Sequence, residues 1–233
     1  MGVLDNFSVV LLDMNGTFMF GGDRFSDDDD FAITYHALGG HRLQHTEVNV
    51  VIRACYKAML SDYENPKKYD SFPHVLKTLQ TLPEVNCMAE EDILLLEHTI
   101  ALHELGTVPT EYAAFLKKLA ITHKLGLVAN IWSDKALWLQ ELERVGIRQL
   151  FKTIIFSSDY FSMKPSPKLF QLAMDAFTDK NSRMVFVGDS LVHDIRGAKA
   201  VGLSTIWINN SKNVGDDDSE VIDFVVDNLL NLN

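Results

Sequence analysis

"RMVFVGDSLVHDIRGAKAVGLSTIWI" runs from Arg183 to Ile208 and holds two short apolar runs joined by a carboxylate-bearing turn and a helical segment. The runs, "RMVFVG" (183–188) and "LSTIWI" (203–208), are uninterrupted enough to suit strands covered on both faces, as in a parallel sheet. "DIRGAKAVG" (194–202) reads as a helix stopped by Gly202. Strand, helix and strand at this spacing make a βαβ unit, which sets the class as α/β.

Working outward, the same kind of run recurs as "SVVLL" (8–12), "LGLVANIW" (125–132), "KTIIF" (152–156) and "DFVV" (223–226). "DKALWLQELERVG" (134–146) has apolar residues at helical spacing and a Gly146 stop. "SPKLFQLAMDAF" (166–177) opens with a serine cap and Pro167 at the first helical position. The series predicts a Rossmann-like, doubly wound parallel sheet that binds ligands at the carboxyl ends of its strands.

Residues 19–107 break the rhythm. "EVNVVIRACYKAML" (47–60), "SFPHVLKTLQTL" (71–82) and "EEDILLLEHTIALHEL" (90–105) all read as helices, with no convincing strand among them. The expected organisation is a core of residues 1–18 and 108–233 with an inserted all-helical cap over 19–107. Gly21-Gly22 and Gly106 with Pro109 flank the insertion. "SDDDD" (26–30) and "GDDDS" (215–219) lack the alternating ligands and closing glutamate of an EF-hand loop and read as solvated acidic segments. Arg53 and Lys57 read as an ordinary charged helix face, and "YHALGG" (35–40) as a helix end closed by glycines.

The chain has 233 residues, 47% hydrophobic and 23% charged, as in an ordinary globular protein. A net charge of −11 argues against nucleic acid, which demands a basic face. No apolar run approaches the roughly 20 residues of a membrane span. The N-terminus lacks the basic-then-apolar layout of a signal peptide, so a cytoplasmic location is expected. Asn6 in "MGVLDN" does not suit myristoylation. Cys55 and Cys87 have no metal-like spacing and read as reduced thiols. Oligomeric state has no signature in the sequence.

Four separated signals fall at predicted strand ends. Asp13 follows the first strand in "VVLLDMNGTF" (9–18), with Thr17 four residues on. Ser133 closes "VANIWSD". Lys164 stands in "SMKPSPKLF" before a helix, and Asp189 and Asp194 lie in "GDSLVHD". Singly, each has a bland reading as a cap, a turn residue or a surface charge. Their order and shared topology make them a candidate site.

In these motifs, "DMNGT", "WSD", "MKPSP" and "GDSLVHD", the chain resembles the haloacid-dehalogenase-like hydrolase superfamily, in the subgroup with a helical cap after the first motif. The resemblance implies Mg²⁺ and phosphoryl transfer from a small phosphorylated substrate through an aspartyl-phosphate. On that reading Asp13 is the nucleophile, since a carboxylate is already ionised at neutral pH. Asp13, Asp189 and the main-chain oxygen of Asn15 hold the metal, with Asp194 as a direct or water-mediated partner. Ser133 holds phosphoryl oxygens, Thr17 orients the loop, and Lys164 supplies positive charge where negative charge gathers.

Asn15 departs from the family pattern, which has an aspartate there to protonate the leaving oxygen and then activate water. An amide does neither. The sequence leaves several readings open: a phosphatase slowed or suited to good leaving groups, a phosphonate-cleaving enzyme, a dehalogenase, and a weakly catalytic phosphate-ligand binder. The acidic "GDSLVHD" motif disfavours the dehalogenase.

Overall fold

The computed structural model describes residues 2–179, 182–209 and 218–232. In chain order the elements are β1 (Val9–Leu12), α1 (Phe31–Ala37), α2 (His45–Tyr63), α3 (Val75–Leu79), α4 (Glu90–Glu104), α5 (Thr110–Thr122), β2 (Lys124–Ala129) and α6 (Ala136–Arg144). There follow β3 (Phe151–Phe156), α7 (Pro167–Asp175), β4 (Met184–Gly188), α8 (Gly197–Ala200), β5 (Ser204–Ile208) and β6 (Phe224–Val226).

The six strands form one sheet in the order β3-β2-β1-β4-β5-β6, every neighbouring pair parallel. Both faces are covered, which explains the continuous apolarity. Along β1, Val10 and Leu12 join an apolar cluster with Leu116 of α5 and Trp138 and Leu142 of α6. Val9 and Leu11 join a second cluster, on the other face, with Leu169 and Phe170 of α7 and Ala198 of α8. All four β1 side chains are fully buried, each worth ~1.5–3 kcal/mol relative to exposure. Strand order reverses beside β1, so the switch point of the sheet lies between β1 and β4.

Helices α1–α4 lie between β1 and α5 and gather their own apolar cluster, with Phe31, Tyr35, Ile52 and Leu96 among its members. Asp30 of the acidic run caps α1, its carboxylate accepting from the Ala32 amide at 3.2 Å. Arg53 donates to the main-chain oxygens of Ser26, Asp27 and Asp29, fixing the loop before α1. The two crossings run side by side: the Phe20 amide donates to the Thr107 oxygen at 3.0 Å, and the Thr107 amide returns to Phe20 at 2.8 Å. A Cβ on Gly22 would stand 2.3 Å from the Glu104 oxygen, so this approach requires glycine.

Several expectations need correction. The helix expected over 71–82 is only Val75–Leu79, because Pro73 and Pro83 disfavour helical backbone at Phe72 and at Leu82, the latter extended with ψ 136°. The helix expected from Asp194 begins instead with a π-helical turn, Leu191–Arg196, that runs into α8. Strand β6 is an edge strand with Phe224 and Val225 exposed, not one covered on both faces. Helix α5 has an apolar stripe at Ala113, Leu116 and Leu119 that the sequence reading passed over. Residues 215–217 of the second acidic run lie outside the described residues. Cys55 and Cys87 are free thiols, and among the described residues no helix is long and apolar enough to cross a membrane.

Candidate active site

A cleft of about 440 Å³ opens at the carboxyl ends of β1, β2 and β4, beneath the helices α2 and α4. Asp13 stands on its floor, directly after β1, with its amide donating to the Val187 oxygen of β4 at 2.9 Å. Its carboxylate receives two side-chain donors. Lys164 Nζ donates to Oδ1 at 2.5 Å, and the Thr17 hydroxyl donates to Oδ2 at 3.2 Å. Lys164 also donates to Asp194 Oδ1 at 2.6 Å. The other Asp194 oxygen accepts the Ser190 amide at 2.9 Å.

One carboxylate oxygen from each of Asp13, Asp189 and Asp194 lies within 4.8 Å of the others. Two glycines make room for this crowding. A Cβ on Gly16, whose φ is +76°, would stand 2.2 Å from Asp189 Oδ2, and one on Gly188 would stand 2.5 Å from Asp194 Oδ2. Burial first, then the charge of Asp194, pushes the Asp13 carboxyl up to about 6 against the pull of Lys164. Burial and the charge of Asp13 push Asp189 to about 6 as well. Burial alone would lower the Lys164 ammonium, but Asp13 and Asp194 more than offset it and hold it above its ordinary range. The lysine is therefore charged at neutral pH, one cation among three carboxyls.

Asp13, Asn15, Lys164, Asp189 and Asp194 all line the cleft. The Asn15 side chain donates to the Asn130 oxygen at 3.5 Å. Thr17 reaches the site through its bond to Asp13. Ser133 does not line the cleft, which corrects the expectation that it meets a phosphoryl group there. Strand β2 ends at Ala129, so the strand-end residue is Asn130, three positions before Ser133. Ser133 is buried, and its amide donates to Glu104 Oε2 at 3.0 Å. Counting from the end of the strand, rather than looking for the nearest hydroxyl, would have found Asn130. Its side chain accepts the Lys164 amide at 2.8 Å and thereby aims the lysine.

Other lining residues carry no motif. His193 puts Nδ1 2.9 Å from the Lys164 oxygen and packs its ring, tilted by 46°, against Tyr63 with centroids 4.6 Å apart. Tyr56, Tyr63 and Trp132 form an aromatic wall, with centroids 5.7 Å apart for Tyr56 and Trp132 and 5.6 Å for Tyr63 and Trp132. Glu104, at the end of α4, accepts the Trp132 amide at 2.5 Å as well as that of Ser133, tying the helices to the loop after β2. Burial pushes its carboxyl up to about 8, against the lowering effect of those amides. Asp23 lines the same wall with φ +55°. His41, with Nδ1 2.9 Å from the Gly39 oxygen, lies away from the cleft lining.

A doubly wound parallel sheet with a lysine and three carboxylates beside its switch point defines an α/β protein whose charged groups gather where such folds bind ligands. A family model described as haloacid dehalogenase-like hydrolase matches residues 94–208. The chain belongs to that superfamily of haloacid dehalogenase-like hydrolases. It is 33% identical over 110 residues to pyrimidine 5'-nucleotidase YjjG of Escherichia coli, covering 47% of this chain and 48% of that protein. Over 115 residues it is 29% identical to glyceraldehyde 3-phosphate phosphatase of Pyrococcus abyssi, covering 49% of this chain and 48% of that one. The chain thus spans about half the length of these curated relatives. Its fold matches 2-haloacid dehalogenase from Pseudomonas syringae pv. Tomato with a TM-score of 0.64 at 20% identity, covering 97% of this chain and 96% of that chain. At that identity the likeness is one of fold alone.

Proposed function

We propose that the protein is a phosphatase-type hydrolase that uses Asp13 as nucleophile on a small phosphate ester, with Mg²⁺ bound beside it. The carrying observation is the 2.5 Å contact between Asp13 Oδ1 and Lys164 Nζ within a cluster of three carboxylates. The alternatives differ in what they ask of this floor. Release of a halide needs no cation-binding acids, and an inert binder gains nothing from a carboxyl nucleophile at its centre. The similarity to a named nucleotidase and a named phosphatase, each over just under half of the chain, supports the reading.

The donor set fits Mg²⁺, a hard cation that prefers oxygen. Asp13, Asp189 and the main-chain oxygen of Asn15 would hold it, with Asp194, the third carboxylate of the cluster, as a direct or water-mediated partner. When bound, the ion would neutralise charge shared between the carboxylates and the phosphoryl oxygens. The chain's own residues do the rest. Thr17 holds one Asp13 oxygen and so turns the other toward phosphorus. Lys164 meets charge that grows on the phosphoryl group in transfer. Residues 19–107 serve as the cap, whose Tyr56 and Tyr63, together with Trp132 of the loop after β2, screen the cleft from water.

The test is a panel of phosphate esters with and without Mg²⁺, run beside Asp13→Asn. Metal-dependent release of phosphate that disappears in the variant is the expected result. Undiminished turnover in Asp13→Asn removes Asp13 as nucleophile, and a panel with no turnover at any metal concentration returns the protein to the binding reading.

A further inference from the structure

Asn15 leaves the proposed reaction without a proton carrier beside the nucleophile. Besides the metal-cluster acids and Asp13 itself, two carboxyls line the cleft, Asp23 and Glu104. Glu104 is committed: each oxygen accepts a main-chain amide, from Trp132 and from Ser133. His193 has Nδ1 at the Lys164 carbonyl and its ring against Tyr63. Asp23 is different. Its carboxylate accepts no hydrogen bond and forms no ion pair among the described residues, although its main chain is pinned by a 3.2 Å bond from its amide to the Glu104 oxygen. The following residue is anchored too, since the Arg24 guanidinium donates to the oxygens of Gly21, Leu102 and Leu105. The backbone at Asp23 is left-handed, φ +55°, a conformation that Asp and Asn adopt more readily than other residues with side chains.

Resting on the phosphatase reading, we infer that Asp23 is the catalytic residue that carries the proton Asn15 cannot. An in-line displacement places the leaving oxygen opposite Asp13, away from the floor and toward the side walled by the crossings and helices. In the first step an Asp13 oxygen bonds to phosphorus while the phosphorus–oxygen bond of the ester breaks. The electron pair goes to the leaving oxygen, which takes the proton of the Asp23 carboxyl and departs as an alcohol. In the second step water attacks phosphorus from the vacated side and gives a proton to the Asp23 carboxylate. The bond to Asp13 breaks with its electron pair returning to Asp13, inorganic phosphate leaves, and both residues are restored. Asp23 is exposed at the cleft, and partial desolvation raises its carboxyl from the ordinary value, opposed by the Arg24 charge, with Glu104 and Tyr56 as the other titratable neighbours.

The experiment compares an alkyl phosphate with p-nitrophenyl phosphate in the full chain with Mg²⁺, for wild type, Asp23→Asn, His193→Asn, Asn15→Asp and the double variant Asn15→Asp/Asp23→Asn. Asparagine tolerates the same backbone, and circular dichroism checks the fold. For Asp23→Asn, kcat on the alkyl ester is expected to fall ~10²-fold or more, and by a much smaller factor on the aryl ester, whose leaving group needs no proton. The pH profile of kcat should lose its acidic carrier, and Asn15→Asp should restore alkyl turnover in the double variant. Equal losses on both esters, no loss, or a leaving-group-dependent loss confined to His193→Asn overturns the inference while aryl turnover dependent on Asp13 keeps the phosphatase reading standing. No turnover by wild type or by Asn15→Asp overturns both.

Discussion

Lys164 Nζ bridges Asp13 and Asp194, 2.5 Å from one carboxylate and 2.6 Å from the other, with only 1% of the lysine exposed. The bridge ties the loop after β3 to the ends of β1 and of the turn after β4, so one side chain joins three separate segments of the chain. A buried ammonium between two buried carboxylates is held by electrostatics that no water can replace. Removing it strands two charges.

Lys164→Met should therefore destabilise the metal-free protein by ~3–5 kcal/mol, the range found when one partner of a buried ion pair is removed. Urea unfolding with circular dichroism measures this, and added Mg²⁺ should recover part of the loss by supplying another cation. A midpoint unchanged from wild type in metal-free buffer would contradict this account of the bridge.

Gly16→Ala is predicted to disturb the metal position more than the fold. The new Cβ would sit 2.2 Å from Asp189 Oδ2, on a backbone with φ +76°, at a strain cost of ~1–3 kcal/mol. In wild type, Mg²⁺ should raise Tm through preferential binding to the native state. Gly16→Ala should show a smaller rise and Asp189→Asn almost none. Equal Mg²⁺ shifts in all three proteins would remove Asp189 from the site.

Asn15→Asp should raise turnover on alkyl phosphates ~10-fold or more and on aryl phosphates less, because only the poorer leaving group gains from a second proton donor. Asn15-Gly16 is a sequence prone to deamidation, so mass spectrometry of this peptide has to accompany the assay. Equal alkyl turnover by verified Asn15 protein and the variant argues that position 15 has no part in proton transfer.

Glu104 gives stability a pH dependence of definite sign. Its carboxyl is pushed up to about 8 in the fold from an ordinary value of 4.5, so the native state keeps a proton that the unfolded chain has released between these values. Stability from this group is thus greatest below about pH 4.5 and declines as pH rises toward 8, by on the order of 5 kcal/mol in all. Asp13 and Asp189, both raised to about 6, act in the same direction without metal. Urea midpoints at pH 5, 7 and 8.5 with saturating Mg²⁺ should show a shallower slope for Glu104→Gln than for wild type. Parallel slopes would assign the dependence elsewhere.

The sequence by itself determined the sheet. Each strand is a local run of apolar residues, and the inner strands, covered on both faces, have to look that way wherever they sit, whereas the edge strand β6 carries the same apolar letters exposed. Asp13, Lys164, Asp189 and Asp194 were equally legible, because they follow strands or precede helices and a parallel sheet brings its carboxyl ends to one edge. What only the tertiary structure decided were positions set by packing between distant segments. Ser133 and Asn130 are three residues apart in one turn, and the register of β2 against β3, ending at Ala129 opposite Phe156, chooses which reaches the cleft. Pro73 and Pro83 shortened a helix that periodicity alone extends. Glu104 and Asp23 bear no local mark at all. Glu104 ends a helix and Asp23 follows two glycines, and each reaches the cleft only because the two crossings lie against each other and dock on the loop after β2. A short-range pattern records which face of an element is buried, whereas the wall opposite a nucleophile depends on how two packed bodies meet, and that is written in no single stretch of the chain.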